Sequence, residues 1–556
     1  MARFLANKPA LMRWIFILTA VFGLNGLTGQ AFAAPNDSAT WREHGLIARI
    51  HFAGSARIAA DPAGASVHEI EALPESAALL DQTMLKLSRA PHEFLRNRTA
   101  STNDESALIR PMLEDLLHSE SFLEMVDGTN QVPELMLAVR LDEDRARLWR
   151  TNLAAVLADW CGIPVNPIQA EGFDGWELRK HVNPSLIRFF QAGNWMVMGW
   201  GDGDLQLQKG TLQRIRQSTR PVDATPGIWL DAWVDWPALA RHHLAPESLK
   251  LPHMRLMVQG RKDFVRSQLI MKFAAPLGMK LDPWRIPTNV IRNPIASFTA
   301  LRGVNALQDE IPQVREYGLP SLPDQIFVWS LAGIPTSTHL AAPVNDASNY
   351  LAQLQPGLIA WLNAFLSSHQ PSSGAVGPAH AFKFEAAWND GRIEIPGMPF
   401  VSPNLGAVHD PAGDYLLGGL MPTAKSPQPL PTELIREINA HANMVCYGWE
   451  LTGERLKQWR AMDQLWHLLF APGVAHVDAP ADKWIQAIWS KLGNCGTEVT
   501  LTAPDELTVV RNSAIGLTAV ELTKLSYWLD APGFPLSADL EPVRWRPVPK
   551  SPPHSP

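Results

Sequence analysis

Three cysteines in a chain of 556 residues, Cys161, Cys446 and Cys495, are too few and of the wrong parity for a disulfide framework, so stability must come from packing. Tyrosine is scarce too, five against 21 tryptophans. Several of those indoles (Trp149, Trp160, Trp459, Trp466, Trp484) fall on helical apolar stripes, which points to core and interdomain packing. The usual catalytic signatures are absent: there is no HExxH, CxxC, GxSxG, SxxK, Walker loop or EF-hand loop. Their absence weighs against an enzyme, although acid-base groups brought together by the fold leave no spacing to read. Positive charge is lacking as well. Without the three cations of the first 33 residues, 45 of the 48 Lys and Arg face 55 acids, a net charge of −10 that repels a phosphate backbone and excludes nucleic acid as a partner. No apolar run of membrane-spanning length follows residue 33.

What is present begins with an address. Arg3, Lys8 and Arg13 precede an apolar run from Trp14 to Leu27, and Ala31-Phe32-Ala33 offers a small-residue cleavage site. The expectation is a signal peptide cut after Ala33 and a secreted or periplasmic protein with no transmembrane span after cleavage. The remaining 523 residues suffice for three or four domain-sized units, and 46% apolar against 19% charged residues marks them as globular.

Hydrophobic periodicity predicts two short strands around Gly54 and helices over 76–98 and from Leu108 onward, giving a mainly helical N-terminal region with a short hairpin (34–132). Strand Glu134–Asp142 then feeds a helix capped by Asp142, followed by strands at 175–180, 186–192 and 194–200, a helix over 205–217 and a strand over 228–236. A hairpin over 254–273 closes this first unit (133–300). A similar order returns over 301–545, closing with a hairpin over 497–511, and the Pro-rich end (546–556) reads as a disordered tail. The expected fold class is α+β: duplicated units resembling split βαβ arrangements, largely antiparallel, with helices packed on one face.

The sequences ELMLAVRLD (134–142), GWELRK (175–180) and RFFQAGNWMVMGW (188–200), with the short helix after them, resemble secreted bacterial proteins catalogued only as a domain of unknown function. The resemblance covers residues 133–217 best. It implies a fold and brings no catalytic residues.

Trp229, Asp231, Trp233 and Asp235 are the candidate ligand-binding residues. On a strand they share one face, alternating indole with carboxylate, a combination able to stack on sugar rings and bond hydroxyls. The competing reading packs them under a helix or between the halves. Asp231 and Asp235 stand roughly 13 Å apart at strand rise, too far for a glycosidase pair. His242, His243 and His253 lack the spacing of a metal site, and Gly199–Asp204 reads as a turn with Asp204 capping the next helix. The Pro- and Gly-rich segment 396–414 reads as a long loop carrying His409, Asp410 and Asp414. No cofactor or metal is expected. The expected function is a non-catalytic exported scaffold or binding protein for an unknown envelope or extracellular partner, the alternative being a carbohydrate-binding or carbohydrate-active protein.

Overall fold

The computed structural model describes residues 45–95, 103–128, 132–179, 186–244, 251–310, 316–333, 336–369, 384–398, 400–410, 413–421, 429–470 and 479–535. The expected signal peptide and C-terminal tail lie outside these residues.

The first half of the chain holds β1 (Leu46–Phe52), α1 (Ser55–Ala60), α2 (Ala65–Glu71), α3 (Pro74–Leu95), α4 (Ser106–His118), β2 (Ser121–Val126), β3 (Glu134–Arg140) and α5 (Glu143–Cys161). It continues with β4 (Asn166–Ala170), β5 (Phe173–Arg179), β6 (Leu186–Ala192), β7 (Trp195–Gly201), α6 (Gln206–Ser218), β8 (Leu230–Asp235), α7 (Trp236–Arg241), β9 (His253–Arg261) and β10 (Phe264–Lys272). The second half holds β11 (Ile295–Arg302), β12 (Gln325–Leu331), β13 (Thr338–Val344), α8 (Ala347–His369), β14 (Ala387–Asn389), β15 (Arg392–Glu394), β16 (Asn404–Asp410) and β17 (Gly413–Gly419). After these come α9 (Thr432–Ile438), β18 (Met444–Leu451), α10 (Thr452–Phe470), α11 (Pro480–Ile488), β19 (Asn494–Ala503), β20 (Glu506–Ser513) and α12 (Ala519–Asp530).

With 38% helix and 33% strand the fold is α+β. Pairing in the first half runs β4-β5-β6-β7-β3-β2-β1-β8-β9-β10. In the second it runs β14-β15-β16-β17-β13-β12-β11-β18-β19-β20, the same order ten strands on. The last strand of each half, β10 and β20, pair with each other and make one continuous sheet. Aligning the two closing hairpins at their turns makes Val510 the counterpart of Gln268, and these two residues face each other across the junction, so a local two-fold passes between them.

Every pairing among the described residues is antiparallel, as the expected largely antiparallel sheet requires. Helices cover both faces of the sheet, which departs from the expected single face. On β3, Val139 packs under α5 with Trp149 and Val156, while the alternating Met136 and Ala138 pack under α6 with Leu212 and Ile215. The second half repeats this: Ala342 and Val344 of β13 meet α8, and Ala341 meets α9.

The N-terminal region is not a separate helical unit, because β1 and β2 lie between β3 and β8 in the sheet. Residues 55–60, read as a second strand, form α1. Segment 396–414, read as a loop, contains β16; its glycines and prolines mask the alternation, and pairing with β15 and β17 supplies the order. The helices inserted between β1 and β2 meet those flanking β19 and β20 in one core, where Ile70, Leu79, Met84 and Leu87 pack with Leu456, Trp484, Ile485, Ile488 and Leu522. The three cysteines form no disulfide, and burial pushes the Cys446 and Cys495 thiols up to about 12.

Candidate functional site

The Trp/Asp strand is β8, with Trp229 just before it. Trp229 is 5% exposed, and its indole N–H donates to Asp61 Oδ2 at 2.9 Å. The ring is closely packed against Gly260 of β9, where an added Cβ would lie 2.3 Å from a ring carbon. Asp231 accepts two bonds from Arg255, at 3.2 and 3.0 Å, across the β8–β9 pair. Asp235 accepts the Ala238 N–H at 2.8 Å and caps α7, with His253 Nδ1 at 3.4 Å. Trp233 is half-buried, in register between Arg49 and Arg255. Three of the four residues thus have structural occupations. The histidines are similarly placed: His242 bonds Asp127 at 2.6 Å, and among the described residues no group of three or more His, Cys, Asp or Glu is arranged to hold a metal ion. Asp204 does not cap α6; it pairs with Lys209 at 2.5 Å, and Glu134 of β3 instead accepts the Gln208 N–H at 3.2 Å.

A more open site surrounds the N-terminus of α8. A cleft of about 430 Å³ is lined there mostly by amides, hydroxyls and charged groups, among them Arg285, Asp324, Asn345, Asp346, Asn349 and Tyr350. Strand β13 ends at Val344, and two residues later Asp346 accepts the Asn349 N–H at 3.0 Å, starting α8 as Asp142 starts α5. Tyr350 donates its hydroxyl to the Ser321 carbonyl at 2.7 Å, and burial raises its pKa to about 12, so it stays protonated. Oδ2 of Asp324 is shielded from solvent with no hydrogen-bond partner among the described residues, an acceptor left unmet in the cleft wall.

On the same turn, three residues from three elements meet. His409 of β16 and Asp414 of β17 are directly paired in their hairpin, and His409 Nδ1 lies 2.9 Å from Asp414 Oδ1. The other ring nitrogen, Nε2, lies 3.0 Å from Ser348 Oγ in the first turn of α8. The bond from His409 holds the Asp414 carboxyl below its ordinary range, helped by the Ala347 N–H and the charge of Arg285. An ionised carboxylate only accepts, so in the neutral ring Nδ1 carries the proton toward Asp414 and Nε2 presents a lone pair to the Ser348 hydroxyl. Ser348 is exposed, as is His409. Reading the sequence singles out His409, Asp410 and Asp414 but misses Ser348, which lies 61 positions before His409.

No family model matches the chain, and no curated protein matches it. A solved structure titled "Structure of crystal form I of TP0453" aligns with 43% of this chain and 78% of its own length, at 8% identity and a TM-score of 0.21. A likeness of that degree carries no argument about fold or function.

A second cavity, of about 330 Å³, lies beneath α8 against the sheet, lined largely by Val328, Leu340, Leu358, Leu362, Ile393 and Leu405. Among the described residues no helix is long and apolar enough to cross a membrane.

Proposed function

We propose that the chain is an exported binding protein on a duplicated α+β scaffold, and that the cleft at the start of α8 takes a polar small molecule rich in hydroxyl or amide groups. The observation that carries this reading is the cleft's lining. Asn345, Asn349, Gln353 and Asn305 each offer both donors and acceptors to such a ligand. Carbohydrates belong to this class, so the carbohydrate reading is kept, with its support shifted from β8 to the cleft. The recurring strand order supports descent of the two halves from one duplicated ten-strand unit, and the leader supports export to the periplasm or beyond.

The test is a thermal-shift panel of mono- and oligosaccharides, polyols and amino acids on the mature protein. A ligand at 100 times its Kd adds about 2.7 kcal/mol to stability and raises the melting temperature, and Asn349→Leu with Gln353→Leu abolishes the rise. A rise that survives the double substitution places binding elsewhere, and no rise with any class removes the reading.

A further inference from the structure

We propose that Ser348, His409 and Asp414 form a nucleophilic site that hydrolyses small, soluble acyl esters. The spacing is that of a working relay: nucleophile to base 3.0 Å, base to carboxylate 2.9 Å. Duplication supplies an internal control. In the first half the corresponding turn of α5 carries Glu143 and Asp144, and the corresponding hairpin pair is Gln191 with Met196. The repeated framework therefore does not require the three residues, which occur together only in the half that carries the polar cleft.

In the reaction, Ser348 Oγ attacks the ester carbonyl carbon while His409 Nε2 takes the hydroxyl proton. The carbon–oxygen bond to the alcohol then breaks, and His409 returns the proton to the departing alkoxide. Water, activated by the same nitrogen, attacks the acyl-Ser348 carbonyl, releasing a carboxylic acid and restoring the hydroxyl. Asp414 touches no substrate; it is a positioning residue that holds the imidazole in the tautomer with a free Nε2. The carbonyl oxygen of the tetrahedral species gathers charge at the positive end of α8. There Asp414 and Asp346 engage the Ala347 and Asn349 N–H groups, which leaves the Ser348 N–H of the same turn as the donor proposed for the oxyanion. Asn345, Asp346 and Asn349 flank Ser348 and also line the cleft, which places the alcohol portion of the ester among polar groups and leaves the acyl portion toward solvent. Short acyl groups on hydroxylated alcohols fit that division.

The test uses the mature chain with a fluorophosphonate probe and with p-nitrophenyl acetate. Ser348 Oγ attacks the probe's phosphorus and displaces fluoride into solvent, and peptide mapping is expected to find the adduct at Ser348 in the wild type and to find it strongly reduced in His409→Ala. Ser348→Ala is expected to lower acetate-ester turnover about 10²–10⁴-fold, and Asp414→Asn to lower kcat with KM unchanged. Ser367→Ala, on the last turns of the same helix, leaves turnover unchanged. Because Ser348 is exposed, its replacement leaves the melting temperature in place, so loss of activity is separable from loss of fold. An adduct on another serine, no adduct, or turnover equal in wild type and Ser348→Ala overturns the proposal. The labelling needs nothing bound in the cleft, so it stands apart from the binding reading.

Discussion

Individual side chains show how a residue of the Trp/Asp pattern is engaged in packing. Trp229 is buried because the chain before it folds back: Asp61 caps the short turn 62–64 with one oxygen and takes the indole N–H with the other. The absent Cβ of Gly260 makes room for the ring. Gly260→Ala is expected to cost about 1–3 kcal/mol in denaturant unfolding, by overpacking against Trp229 and the Ala63 carbonyl. Glu450 gives a pH signature. Burial raises its pKa above the ordinary 4.5 although the Ala519 N–H, at 2.7 Å, pulls the other way. A carboxyl with a raised folded-state pKa contributes its full stability below the unfolded value and loses it as pH rises through the folded one. The contribution of Glu450 is therefore expected to fall as pH rises above the ordinary 4.5, and Glu450→Gln, which keeps an acceptor for Ala519, removes that component, read as the difference between the two unfolding titrations.

Elements divide by whether their ends are set locally. Helix α5 carries its own cap, Asp142 to the Arg145 N–H at 2.8 Å, and Asp142→Ala is expected to cost about 1 kcal/mol, measured as a shift in the denaturant midpoint at constant m value. Helix α6 has no local side-chain cap and follows Leu205, whose φ is 51°, and a carboxylate 74 positions away meets its first turn. The first kind of end is visible as an Asp before an apolar stripe; the second is not. The same division explains the strands. Hairpins β6–β7, β9–β10 and β19–β20 have tight turns and alternation, and their sequences predict them. The missed strand β16 draws its order from two neighbours across a Gly- and Pro-rich stretch, and finding it brings His409 beside Asp414.

At the scale of the molecule, two halves of ten strands in the same pairing order meet at β10–β20, and helices from both close over a common core. The Trp484 indole of α11 donates to Ser76 Oγ of α3 at 2.9 Å, tying helices more than 400 positions apart. Trp484→Phe and Ser76→Ala are each expected to cost about 1 kcal/mol for that bond. The double variant should cost less than the sum, because both remove the same bond, and a double-mutant cycle in denaturant measures the difference. Independent halves would instead show additive costs and two unfolding transitions.

Composition and periodicity by themselves determined the α+β class, the position of most helices, the hairpins, and the recurrence of element order, because each depends on neighbours within a few positions. They also marked His409 and Asp414 as residues worth locating. Only the tertiary structure decided the antiparallel order of the strands, the placement of β1 and β2 inside the sheet, and the helices on both faces. It alone brought Ser348 to His409 at the first turn of α8. Those outcomes depend on which distant segments pair and which polar groups are left without partners, and spacing along the chain does not record distance through the fold.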